Sequence, residues 1–279
     1  MTVNELPILI EPEQLQPLLG HPQLLIVDLC RPGQYPAAHI PGALHLPYSH
    51  LMLGQAPAPG KLPAPQQIAH ALGAIGLTPQ HHVVAYDDEG GGWAGRLLWT
   101  LDVIGHANYS YLNGGLQAWA RQQRPLQTEA AIATATQLSI SYRSEPMIDK
   151  AGILSHLQDP NWVIWDARSP EEYFGLRPSA AQNGHMPGAV NYEWTRAMDP
   201  NQGFRILDLE TVRQELAALG ITADKNIITH CQAHHRSAFT YLLGKILGFP
   251  SIRAYPGAWS EWGNDPDTPI ELDSTQANN

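Results

Sequence analysis

Short apolar runs alternate along this chain with stretches in which apolar residues recur every three or four positions. Asn226-Ile227-Ile228 reads as a short strand, and Ser237 to Leu243 carries a helical spacing. Ser169-Pro170-Glu171-Glu172 has the form of a helix start, with a capping serine and proline at the first helical position. Asp208 to Leu219 reads as a helix closed by Gly220. Strands alternating with helices at these lengths predict an α/β fold, with parallel sheets covered by helices on both faces. In such sheets ligands bind beyond the carboxyl ends of the strands. Cys231, which follows the apolar run and opens a loop onto a helix, lies at that position.

The pattern is written twice. Leu25-Ile26-Val27-Asp28-Leu29-Cys30-Arg31-Pro32 matches Val163-Ile164-Trp165-Asp166-Ala167-Arg168-Ser169-Pro170, and each is followed by a tyrosine, Tyr35 and Tyr173. His39-Ile40-Pro41-Gly42-Ala43 matches His185-Met186-Pro187-Gly188-Ala189. Val83 to Asp87 aligns with Ile227 to Cys231, and Gly114 to Trp119 with Gly257 to Trp262. Four ordered matches at a spacing of roughly 140 residues indicate a duplicated domain. The expected division is an N-terminal domain over 1–124, a linker over 125–146 and a C-terminal domain over 147–279. The linker stretch is polar and rich in Ala, Thr and Ser. The second copy carries extra residues, Phe174 to Asn183, between its tyrosine and its histidine.

Composition narrows the function. The chain has 279 residues, 43% of them hydrophobic and 15% charged, enough for two folded cores. A formal charge of -10 argues against nucleic acid or an anionic membrane as partner, because both require a basic face. The N-terminal residues lack the pattern of a signal peptide and no run reaches membrane-spanning length, so a cytoplasmic protein is expected. The two cysteines, Cys30 and Cys231, fall in different halves, which disfavours a disulfide.

The local basic spot is then informative. Cys231-Gln232-Ala233-His234-His235-Arg236-Ser237 places a thiol among loop amides, a helix N-terminus and an arginine. A free thiol titrates near ~8.5, and these neighbours all favour the thiolate. Lowering that value by ~2 units corresponds to roughly 2.7 kcal/mol and makes most of the population nucleophilic. The same amides and cations form a cradle for an anion or for a charged intermediate on sulfur. Cys231 is therefore the expected nucleophile, with Gln232, Ala233, His234, His235, Arg236 and Ser237 as the substrate-binding loop.

Together, the duplicated Asp/Arg/Tyr and His-x-Pro-Gly-Ala segments, the strand-Cys-loop-helix and the Gly-Ala-Trp-Ser-Glu-Trp stretch resemble a tandem-domain rhodanese, a thiosulfate sulfurtransferase family. The loop is most similar to that of bacterial members. The resemblance implies two rhodanese-like domains, with Cys231 taking the outer sulfur of thiosulfate, releasing sulfite and passing the sulfur to cyanide or a thiol acceptor. It implies no metal and no organic cofactor. The partners it implies are a small anionic sulfur donor and a thiophilic acceptor. Related phosphatases use a loop one residue longer, Cys-x5-Arg, whereas this chain has Cys-x4-Arg. Vertebrate thiosulfate enzymes carry basic residues after the cysteine and an arginine before the tyrosine, where this chain has Gln232, Ala233 and Glu172. The alternatives are a persulfide relay that delivers sulfur to a protein partner, and a 3-mercaptopyruvate sulfurtransferase, although relatives using that donor have a Gly/Ser-rich loop.

Other residues read as structural. Cys30 is expected to pack in a catalytically silent first copy, whose loop carries Asp87 at the cysteine's position. Gly90 to Arg96 nearly spells a phosphate-binding loop but lacks its lysine and Ser/Thr. Asp28, Asp166, Arg31 and Arg168 are expected to fix loops through buried ion pairs, and His39 and His185 to be architectural. One thiol with adjacent histidines makes a poor zinc site. For His234 and His235 a solvated loop role competes with substrate contact. Trp194 is either a lining residue of the pocket mouth, by analogy with the family, or ordinary packing.

Overall fold

The computed structural model of the chain describes residues 3–272, which form two compact units. Among these residues, unit 1 comprises 3–52, 62–144 and 198–207, and unit 2 comprises 53–61, 145–197 and 208–272. Neither unit is continuous in sequence. Two short segments, 53–61 and 198–207, are counted with the half of the chain to which they do not belong in order.

Unit 1 holds strands β1 (Leu9–Ile10), β2 (Leu24–Asp28), β3 (Leu44–His45), β4 (His82–Tyr86) and β5 (Tyr109–Leu112). They form one parallel sheet in the order β1-β5-β4-β2-β3. All five residues of β4 are buried, as a central parallel strand requires. Around the sheet lie α1 (Pro12–Leu15), α2 (Gln34–Ala37), α3 (Pro65–Ala74), α4 (Gly92–Ile104) and α5 (Gly115–Arg121). Ile26, Val84, Leu112 and Trp119 belong to one buried apolar cluster. Irregular chain follows α5 and stays against the unit: Thr136 N–H donates to Gly73 O, and Arg143 N–H to Val103 O.

Unit 2 repeats the plan. Its helices are α6 (Lys150–His156), α7 (Pro170–Tyr173), α8 (Leu209–Ala218), α9 (Arg236–Ile246) and α10 (Ala258–Trp262). Its sheet is built from β6 (Trp162–Asp166), β7 (Val190–Asn191), β10 (Asn226–His230) and β11 (Ile252–Ala254). A short antiparallel ribbon, β8 (Met198–Asp199) with β9 (Arg205–Ile206), falls within unit 1. The order β11-β10-β6-β7 is parallel throughout, and a parallel bridge from Met147 to Ala254 occupies the place that β1 takes beside β5. The helix signals are realised: Ser169 caps α7 in a reciprocal capping box with Glu172, Pro170 is its first residue, and Gly220 follows α8 with φ +79°.

The duplication extends to individual hydrogen bonds. Tyr35 Oη donates to Ala43 O and Tyr173 Oη to Ala189 O. The His39 ring stacks on Tyr35 at 3.8 Å and the His185 ring on Tyr173 at 3.7 Å, each Nδ1 meeting that tyrosine's carbonyl. Trp119 Nε1 donates to Pro125 O, and Trp262 Nε1 to Pro269 O. The two histidines are buried and architectural.

The ion-pair expectation holds in one copy only. Arg168 and Asp166 are fully buried together, whereas Arg31 is 65% exposed in its side chain and reaches Asp88 instead of Asp28. The reason lies in register within the repeat: Arg168 stands two residues after Asp166, and the residue two after Asp28 is Cys30. That thiol is buried, its titration pushed well up by burial and by the nearby Asp28, and Cys30 N–H donates to Asp28 Oδ1. Among the described residues no helix is long and apolar enough to cross a membrane.

Candidate active site

The site begins at the end of β10. Its register with β6 sets His230 beside Asp166, and Cys231 follows at 1% exposure. The chain then turns through residues 232–235 into α9, with His234 in the left-handed region at φ +52°. The outer side of the turn is tied to α10: Trp259 N–H donates to Cys231 O, and both Ser260 N–H and Ser260 Oγ donate to Gln232 O. On another side lies Gly60, where a Cβ would come within 2.3 Å of Ala233 O and 2.7 Å of Pro256 O. No side chain fits there. Lys61, next in sequence, pairs with Glu261 at 2.5 Å.

The electrostatics of the sulfur are a contest between burial and donors. Burial alone pushes the Cys231 thiol up, as for any charge leaving water. Against this act the Arg236 charge, the Ser237 hydroxyl and the amides of Ser237 and Ala233, and the net result is a thiol held below its ordinary value. The Ser237 hydroxyl lies 3.4 Å from Sγ. His234 Nδ1 lies 2.8 Å from that hydroxyl. Arg236 is fixed from α7: its two terminal nitrogens donate to the two oxygens of Glu172 at 2.5 and 3.0 Å. Arg177 also pairs with Glu172, at 2.9 Å.

Beneath the loop, Asp166 holds Arg168 through three contacts of 2.6–3.0 Å, Arg168 donates to Gly184 O, and its guanidinium lies 4.2 Å from the centre of the Trp259 ring. Burial pushes His230 down to about 4, Asp166 opposes this, and the Arg168 charge adds to it, so this ring, which meets Asp166 and the Cys231 carbonyl, is neutral at pH 7. Asp166 is held at about 2: burial would raise it, but His230 and Arg168 outweigh that.

The structure separates the loop residues that sequence groups together. Sγ is met by groups from Ala233, Arg236 and Ser237. Gln232 turns away, its side-chain amide donating to Ser179 O and Ser260 Oγ, so it braces the inserted segment 174–183. The solvated reading of His234 is overturned, since its side chain is buried and bonded to Ser237. His235 is half-buried and edge-on to Trp194 at 5.6 Å, and Trp194 also meets the Phe239 ring. Sequence reasoning overlooked Glu172 as the anchor of Arg236, and overlooked Gly60 and Lys61 altogether. Glu172 was visible only as a departure from a family pattern, and Gly60 carried no signal because its importance is a close approach across more than 170 residues of chain.

Unit 1 has the same loop with a different occupant. Asp87 follows β4 as Cys231 follows β10. Its carboxylate accepts from the amides of Glu89, Gly91, Trp93 and Ala94 at 2.8–3.1 Å. Leu116 N–H donates to Asp87 O, as Trp259 N–H does to Cys231 O.

A parallel α/β unit whose strand runs into a tight amide-lined loop, with a thiolate-favouring cysteine at one end and a helix at the other, defines a cysteine-loop transfer fold. The family model described as "Rhodanese-like domain" matches residues 11–122 and again 150–265, and the chain belongs to this family in two copies. It is 49% identical to a thiosulfate sulfurtransferase of Azotobacter vinelandii, over 96% of this chain and 98% of that protein. It is 48% identical to a thiosulfate sulfurtransferase of Pseudomonas aeruginosa, with the same two coverages. Among solved structures, the anaerobic ergothioneine biosynthesis enzyme of Chlorobium limicola superposes with a TM-score of 0.84 at 22% identity, over 95% of this chain and 70% of that one. At that identity it speaks for the fold alone.

Proposed function

We propose that this protein is a thiosulfate sulfurtransferase that works through a persulfide on Cys231. The observation that carries the reading is a buried cysteine whose thiol is held below its ordinary value by Arg236, Ser237 and the loop amides. Two relatives bearing that enzyme's name across nearly the whole chain support it.

In the loading step the Sγ thiolate attacks the outer sulfur of thiosulfate. A new S–S bond forms, and the sulfur–sulfur bond of the donor breaks with its electron pair leaving on sulfite. The negative charge then resides on the terminal sulfur, where the amides of Ala233 and Ser237 and the Arg236 charge stabilise it. In the discharge step a thiophile such as cyanide takes that sulfur, and the electron pair of the broken bond returns to Sγ. Two easier displacements replace one difficult one. The short loop from Cys231 to Arg236 suits one sulfur atom better than a tetrahedral phosphate. Unit 1 takes no part in the chemistry, since a carboxylate cannot carry sulfane sulfur. The setting we infer is cytoplasmic, with a small thiol or a protein thiol as the acceptor.

Intact mass of the full chain, measured before thiosulfate, after it, and after cyanide, tests the reading alongside Cys231→Ser. The expected result is a gain of one sulfur, about 32 Da, lost with cyanide and absent from the variant. No adduct on the wild-type chain overturns the proposal. Loading with very slow cyanide discharge identifies a sulfur relay instead of a turnover enzyme.

A further inference from the structure

Two buried side chains stand in series behind the sulfur. Ser237 Oγ donates to Cys231 Sγ, and His234 Nδ1 lies 2.8 Å from the same oxygen. All three residues are at most 1% exposed. A hydroxyl has one proton, so when that proton faces Sγ the oxygen can only accept from its other neighbour, and His234 must present Nδ1–H. The series therefore has a direction, from imidazole to hydroxyl to sulfur.

The shape of the loop does not require this histidine. Position 234 is left-handed, a conformation that glycine adopts more readily than any residue with a Cβ. Unit 1 demonstrates the point within the same chain: the counterpart of His234 is Gly90, at φ +105°, and the counterpart of Ser237 is Trp93. That copy builds its loop with neither the imidazole nor the hydroxyl. The pair occurs in the copy that bears the cysteine.

We propose that His234, acting through Ser237, aims a hydrogen bond at Sγ that strengthens when Sγ is negatively charged, so that the pair chiefly serves discharge of the persulfide. The inference rests on the sulfurtransferase reading above. In the persulfide the charge is on the outer sulfur and Sγ is a neutral sulfide. When the acceptor removes the outer sulfur, the electron pair of the broken bond returns to Sγ, where the Ser237 proton already points. No proton changes owner. In loading, Sγ gives up its charge, so the pair does not assist the attack and serves only to keep the thiolate populated. Ser237 touches the reacting atom, and His234 is a positioning residue.

The other charged and titratable groups on the elements packed against the loop are Arg236 on α9, Glu172 on α7 behind it, the neutral His230 and the ionised Asp166 at the ends of β10 and β6, Arg168 beside Asp166, and the Lys61–Glu261 pair.

The test measures the two half-reactions separately on the full chain, by rapid quench and intact mass, with thiosulfate for loading and cyanide for discharge. The variants are His234→Gly, which copies the unit 1 backbone, His234→Asn, whose amide can donate from the Nδ1 position and tolerates a left-handed backbone, and Ser237→Ala. Losing a hydrogen bond to a charged group should slow discharge about ten-fold in His234→Gly and Ser237→Ala across the pH range. Loading should fall at neutral pH and recover as the pH is raised and the thiolate population is restored. His234→Asn should keep discharge within about three-fold of wild type, as expected if the donated hydrogen bond is what matters. Equal slowing of both halves at every pH, or an asparagine variant no better than glycine, overturns the proposal in favour of a packing role. A wild-type chain that never loads sulfur defeats the sulfurtransferase reading itself, whereas one that loads, with variants that discharge at its rate, defeats only this inference.

Discussion

Both terminal nitrogens of Arg236 are held by the single carboxylate of Glu172, whose side chain is 3% exposed. The arginine that favours the Cys231 thiolate thus carries its own counter-charge, presented from a different helix.

Replacing Glu172 by Gln should lower two observables, the stability of the fold and the titration of the Cys231 thiol. Removing one partner of a mostly buried pair costs stability, about 2–3 kcal/mol here, since Arg236 keeps some solvent contact. The neutralising charge is also lost, so Arg236 acts more strongly on Sγ and the thiol should titrate lower. Arg236→Ala should raise it. Thermal unfolding together with iodoacetamide alkylation against pH reads both effects, and a raised thiol in Glu172→Gln would show that anchoring outweighs net charge.

Gly60→Ala places a methyl group where Ala233 O and Pro256 O already lie. Carbonyls at such distances must shift, and overpacking of this kind costs about 1–3 kcal/mol. Because the displaced carbonyl belongs to the loop that holds the sulfur, thiosulfate loading should fall about ten-fold or more, although residue 60 is remote in sequence from Cys231. Loading kinetics and chemical denaturation on one preparation check this; unchanged loading would mean that the loop yields at no cost.

Asp87→Cys combined with Cys231→Ser asks whether a loop alone makes a sulfur carrier. Gly92 and Trp93 stand where unit 2 has Arg236 and Ser237, so the new thiol lacks the cation and the hydroxyl. No stable adduct is expected by intact mass after thiosulfate. A one-sulfur gain on the double variant would show that the amides suffice.

Much of this was legible in the chain. The repeat located both sheets, because identical patterns of burial require identical patterns of apolar residues, and Cys231 stood out because a strand end followed by basic residues and a helix is a chemically unusual place for a thiol. What escaped were contacts fixed by tertiary approach. That Arg31 would reach Asp88, that Glu172 would grip Arg236, and that Gly60 would lie against Ala233 depend on which elements meet. No periodicity encodes that. His234 stayed open between a solvated role and substrate contact for a related reason: it is buried in a left-handed turn, and a histidine is not the residue that signals one.

His230 makes unit 2 sensitive to acid. Its folded value is about 4, below the ordinary imidazole value of 6.5, so the unfolded chain takes up a proton that the folded chain refuses. Stability is therefore full above about pH 6.5 and declines as pH falls toward 4, by roughly 3 kcal/mol at 1.36 kcal/mol per unit. Asp166, held at about 2, keeps its own contribution throughout that window. His82 in unit 1, also pushed by burial to about 4, adds a change of the same sign. Urea denaturation at several pH values between 4 and 7 should show the decline, and His230→Gln should flatten part of it; an unchanged slope would place the sensitivity elsewhere.

The carboxylate of Asp87 fills its amide cradle permanently, whereas the cradle around Cys231 must accept a thiolate at one moment and a two-sulfur chain at the next. A loop with a resident anion can be locked, but a loop with a changing occupant has to retain some give. Backbone deuterium uptake should accordingly be slower at residues 89–94 than at 233–237, and loading with sulfur should slow only the second set. The duplication would then supply, within one polypeptide, a rigid reference for the breathing of its working counterpart.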